Sequence, residues 1–171
     1  TVSGDITAEV AGNIANVTGI TATYSGTVTD SLANLASGGS ITTNFSRARG
    51  DDTGVDVVVN DATGTLNAAD IAAVTAKTTG TVTLENAQTI SGTGTAVTAA
   101  LITNAVTLGA ASSATVSGDI TAEVAGNIAN VTDITATYSG TITDSLANLA
   151  ASGEITTNFS RARGDDTGVD V

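Results

Sequence analysis

TVSGDITAEVAGNIANVT at residues 1–18 returns letter for letter at residues 115–132, and that return decides how the chain is read. Followed outward, residues 1–57 recur as 115–171 with five exchanges: Gly19 against Asp133, Val28 against Ile142, Ser37 against Ala151, Gly38 against Ser152 and Ser40 against Glu154. Four of these fall in expected turns. The fifth swaps two β-branched aliphatics, which a strand core tolerates at under about 1.5 kcal/mol. The period is therefore 114 residues, with 1–114 a first full period and 115–171 half of a second. A long, nearly exact period is the mark of a tandem array, and the chain reads as a segment of a longer one.

A weaker phrase recurs inside the period: an apolar residue, then Ser or Thr, then Gly. It stands at Val2-Ser3-Gly4, Tyr24-Ser25-Gly26, Phe45-Ser46 with Arg47 in the Gly place, Thr63-Gly64 and Ile90-Ser91-Gly92. About five units of roughly 23 residues per period is the size of one solenoid coil. Ile20–Thr29, Val55–Val59 and Thr81–Leu84 are rich in Val, Ile, Thr and Tyr and bounded by Gly, Asn, Asp or Ser, so they are predicted strands. Val10, Ile14 and Val17, Leu32 with Leu35, and Ile71 with Val74 are spaced to face inward from one or two helical turns. Pieces this short gain stability only by stacking. The expected fold is mainly β: a β-solenoid of the parallel β-helix kind with short helical segments and about five coils per period. The alternative is a string of immunoglobulin-like β-sandwiches.

Composition narrows the function. Cys, His, Met, Trp and Pro are absent, and Tyr and Phe number 2 each among 171 residues. This removes disulfides, thiolate nucleophiles, the usual zinc sites and the His general base. The single lysine, Lys77, has no partner motif for a Ser or Thr nucleophile, and few aromatics are available to line a sugar cleft. No catalytic residue and no organic cofactor is expected. A net charge of −12 repels nucleic acid, and no apolar run is long enough to insert in a membrane.

Thr65-Leu66-Asn67-Ala68-Ala69-Asp70-Ile71, Val82 to Gly92 and Thr95 to Leu101 resemble the Thr/Ala/Gly-rich repeats of giant cyanobacterial cell-surface proteins of the swimming-motility kind. The resemblance runs along the whole chain and implies an exported, extracellular surface or filament protein without enzymatic residues.

Several patterns are candidate sites. Asp51, Asp52 and Asp56, with their copies Asp165, Asp166 and Asp170, place three carboxylates within six residues, a donor set suited to Ca²⁺. Gly54-Val55-Asp56-Val57 resembles the back half of the calcium-binding nonapeptide of RTX β-rolls, without its front glycines. The flanking Arg47 and Arg49 read equally as partners in a locally neutralised corner. Arg49-Gly50-Asp51 and Arg163-Gly164-Asp165 spell the tripeptide that integrins recognise. Thr-x-Thr pairs at 21/23, 27/29, 81/83 and 93/95 suit strands, and on a flat face could order water or ice. Asn16, Asn44, Asn130 and Asn158 are glycosylation acceptor patterns.

Two functional expectations follow. The first is a structural repeat segment of an extracellular filament, surface layer or giant cell-surface protein that self-associates end to end or laterally by coil stacking. The second is an adhesin-type binding module with a calcium-binding acidic loop.

Overall fold

Thr or Asn sits immediately before five of the helical runs, three of them rich in Ala, and this local pattern sets the architecture. In the computed structural model, which describes residues 1–103 and 106–171, Thr7, Thr42, Asn67, Thr93 and Thr121 each cap a helix by accepting a backbone N–H two or three residues on. Ala then propagates the helix at little conformational cost. The chain runs through α1 (Ala8–Ala15), β1 (Val28–Asp30), α2 (Leu32–Leu35), β2 (Ala36–Ser37), β3 (Ser40–Ile41), α3 (Thr43–Asp51), β4 (Val57–Val59), β5 (Gly64–Asn67) and α4 (Ala68–Thr75). It continues with β6 (Val82–Leu84), β7 (Gln88–Thr93), α5 (Gly94–Thr98), a π-helical turn at Ala99–Thr103, β8 (Ser112–Ser117) and α6 (Ala122–Ala129). The last elements are β9 (Ile134–Tyr138), α7 (Leu146–Leu149), β10 (Ala150–Ala151), β11 (Glu154–Ile155) and α8 (Thr157–Asp165).

The expected mainly-β solenoid is thereby corrected. The protein is mixed α/β, 36% helix and 27% strand, with parallel sheets of the α/β type. The sandwich alternative fails as well, because both larger sheets are parallel and, among the described residues, only the two-residue hairpins β2–β3 and β10–β11 pair antiparallel. The physical reason is helix capping: the segments read as minor helical pieces between coils instead form a full layer. The turns are uneven in length. Ile6 aligns with Val28, Val28 with Val57, Val57 with Val82 and Thr83 with Thr107. Four pairings therefore carry the chain across most of the period, and the helix-hairpin-helix α2–β2–β3–α3 fills the longest interval.

One sheet orders β1-β4-β6 and the other β5-β7-β8-β9. In the second, Leu66, Ile90, Ala114 and Ala136 stand in register and buried, while alternate residues face out. Helices α4, α5 and α6 pack beside one another against β7, β8 and β9. Large aromatics have little room here, and the fully buried side chains are mostly Val, Ile and Leu, with Phe45 the largest.

The helix α1 turns a different face inward from the one its spacing predicts. Val10 is 45% and Val17 52% exposed, and the buried face is Ala8, Ala11 and Gly12. Closeness to α3 selects that face: a Cβ on Gly12 would lie 2.6 Å from the Asn44 Cα, and one on Gly126 would lie 2.5 Å from that of Asn158. Ile71 and Val74, by contrast, point inward as their spacing predicts.

Candidate functional site

Short parallel strands leave many edge N–H groups without a backbone acceptor, and an unpaired buried N–H is destabilising. Aspartates meet this need along the whole chain. Among the described residues, every aspartate except Asp133 and Asp170 accepts a backbone N–H from another turn, 22 to 31 positions away. The carboxylates the sequence singled out belong to this set. Asp51 Oδ2 accepts the Ala22 N–H at 2.8 Å, and Asp52 Oδ2 accepts that of Tyr24 at 2.9 Å while its Oδ1 takes the Gly54 N–H at 3.0 Å. Asp56 Oδ1 accepts both the N–H and the hydroxyl of Thr81, at 2.6 and 2.9 Å.

The second copy repeats the arrangement. Asp165 accepts the Ala136 N–H at 2.8 Å, and Asp166 accepts those of Tyr138 and Gly168 at 3.0 Å each. Asp170 contributes only its backbone there, its carbonyl accepting the Ile142 N–H. The carboxylates thus fan out along a seam to different donors, all three in the first copy and Asp165 with Asp166 in the second, and no group of three or more potential metal ligands gathers among the described residues. Arg49-Gly50-Asp51 forms the last turn of α3, with the Asp51 carboxylate engaged and Arg49 Nε buried without a hydrogen-bond partner among the described residues.

Electrostatics follow from these bonds. The backbone N–H of Thr27, with its side chain, holds the Asp5 carboxyl below the usual carboxylate range. Asp144 is lowered by the Asn148 side-chain amide first, then by the N–H groups of Ser145 and Ala122. Burial pushes the phenols of Tyr24 and Tyr138 up, and the neighbouring Asp51 with Asp52, or Asp165 with Asp166, adds to it. Each phenol donates to a helix carbonyl, Tyr24 to Ala11 at 3.0 Å and Tyr138 to Ala125 at 2.9 Å.

Among the described residues, polar groups line two kinds of open surface. A polar groove of about 330 Å³ lies between α1 and α3, lined by Glu9, Asp30, Asn34 and Asn44 among others, and its counterpart at Glu123, Asn148 and Asn158 measures about 250 Å³. Asp30 has both carboxylate oxygens engaged, with Ala8, Ser31 and Asn34, so the groove holds no free acid and base pair from Glu9 and Asp30.

The other surface is the outer face of β5-β7-β8-β9, which the sequence reading missed. Thr65, Thr89, Ser113 and Thr135 form one row across the strands, and Asn67, Ser91, Thr115 and Thr137 a second. Thr89 and Ser113 share a hydroxyl hydrogen bond at 3.0 Å. The signal was present as polar-x-polar pairs recurring at the turn length, but finding it requires the strand register. Of the glycosylation patterns, Asn16 and Asn130 are exposed while Asn44 and Asn158 are half-buried against α1 and α6.

No helix among the described residues is long and apolar enough to cross a membrane. Comparison with family models, curated proteins and solved structures finds no match for this chain.

Proposed function

We propose that the chain is a structural repeat segment of an extracellular filament, surface layer or giant cell-surface protein, which spans distance by stacking turn upon turn. The observation that carries this reading is the unbroken parallel sheet β5-β7-β8-β9. Its strand β9, the copy of residues 20–24, pairs directly with β8, and β8 pairs with β7 from the unrepeated stretch. Repeated and unrepeated sequence are thereby parts of one sheet, with no linker between them. Chemistry lends support from the other direction: the carboxylates serve as acceptors for backbone N–H groups, a role that joins turns and transfers no proton.

The full period 1–114 carries nine carboxylates and three basic residues, so parallel arrays repel one another until salt screens them. Chains of one, two and three periods, compared by small-angle scattering and electron microscopy, test the reading. Length should grow by a constant step of about 20–24 Å per period, from strand spacing of about 4.8 Å. Separate globules joined at variable angles would overturn it.

A further inference from the structure

The two copies of the 57-residue sequence are an internal control, because the same residues meet different neighbours. In the first copy Leu32 is 4% exposed, Leu35 and Ala36 are fully buried, and Val57 is 1% exposed. Their counterparts open to solvent: Leu146 is 78% and Val171 62% exposed, and Leu149 and Ala150 are half-buried, while Ile155, the copy of the half-buried Ile41, is 43% exposed. What covers the first copy is the segment that follows it. There β4 lies beside β1, Asp61 accepts the Leu32 N–H at 2.7 Å, α4 packs on β2 and β3, and Asp70 accepts the Gly39 N–H at 2.6 Å. The matching side-chain bonds to Leu146 and Gly153 are not formed among the described residues.

From this control we infer that the face of Leu146, Leu149, Ile155 and Val171 is a docking surface for one further segment with the chemistry of Val58–Thr75. That segment offers an apolar strand, a carboxylate at the Asp61 position, and an Ala-rich helix with an acid at the Asp70 position. The inference rests on the stacking reading and names its next partner. A second copy of the 171-residue chain is the poorer occupant, since its own Val58–Thr75 is already engaged with Val28, Leu32 and Gly39. The hairpin of this face differs from the first copy by Ala151 for Ser37, Ser152 for Gly38 and Glu154 for Ser40, and the last puts a carboxylate beside Gly153 that weakens the contact with an acid at the Asp70 position relative to the first copy.

The test extends the chain past Val171 by the sequence of residues 58–77, in native and in shuffled order, and reads amide hydrogen exchange. The native extension should slow exchange at Leu146 at least ~10-fold, the shuffled one not at all. Leu146→Ser in the extended chain should remove the gain, and replacing the appended aspartate of the Asp61 position by Ala should release the Leu146 amide. Equal exchange in both extensions would overturn the assignment. So would a concentration-dependent dimer of the unextended chain that Leu146→Asp abolishes, with no protection from the extension. If multi-period chains lengthen regularly while Leu146 stays unprotected, stacking stands and this assignment falls; protected Leu146 within chains that form beads gives the reverse.

Discussion

Asp52 accepts the backbone N–H of Tyr24 at 2.9 Å, and Asp166 repeats the bond to Tyr138 at 3.0 Å, so one carboxylate ties down the same tyrosine in each copy. Asp52→Ala leaves the N–H groups of both Tyr24 and Gly54 without their acceptor. The expected loss is about 1–3 kcal/mol, read as a lower urea midpoint. Asp133→Asn, which removes the same charge where no such bond exists, should leave the midpoint within ~0.5 kcal/mol of the parent. Equal effects from the two would point to net charge instead of the bond.

Acid should weaken the fold through Asp5 and Asp144. Both carboxyls are held below their unfolded value, so their contribution is complete above the ordinary Asp range near ~3.9 and is lost as pH falls through the depressed folded values. Thermal melts from pH 7 down to pH 2 should be flat at first and fall in the acid limb. Asp5→Asn with Asp144→Asn should make that limb shallower.

The alkaline limb has the opposite sign. Tyr24 and Tyr138 keep their protons in the folded state above the pH where an unfolded phenol, near ~10, loses its own. Stability present below that value should decline as pH rises beyond it. Tyr24→Phe with Tyr138→Phe should remove the slope, at about 1 kcal/mol per lost hydrogen bond to Ala11 and Ala125.

Two helical glycines should respond in opposite directions. Gly12→Ala drives a methyl into the Asn44 backbone, and the overpacking should destabilise by about 1–3 kcal/mol despite the better helix former. Gly50 in α3 has open space where its Cβ would stand, so Gly50→Ala should stabilise by up to ~1 kcal/mol. Melting both variants beside the parent decides it.

The repeat, the strand at Val57–Val59 and the inward pair Ile71 and Val74 were legible because each depends on neighbours in sequence. What was hidden depends on register. Residues 20–24 have the same sequence as 134–138, yet only the second copy forms a strand, β9, because β8 lies beside it; Ile20 is 52% exposed and Ile134 8%. The inward face of α1 was misread for a similar reason, since Gly12 against Asn44 outweighs the periodicity of Val10 and Val17. The grouped acids Asp51, Asp52 and Asp56 suggested a shared cation, and only the fold reveals that each has a separate N–H donor one turn away. The full helical layer was underweighted, although Thr or Asn before each Ala-rich run was its signal.

Amide hydrogen exchange at Ala22, Tyr24, Ala136 and Tyr138 tests most directly whether aspartates bind turn to turn. The account predicts that these four amides exchange as slowly as those inside β7 and β8, and that Asp165→Ala with Asp166→Ala speeds Ala136 and Tyr138 while leaving Ala22 and Tyr24 unchanged. Exchange at the open-chain rate in the parent protein, or equal acceleration of all four in the variant, would contradict it.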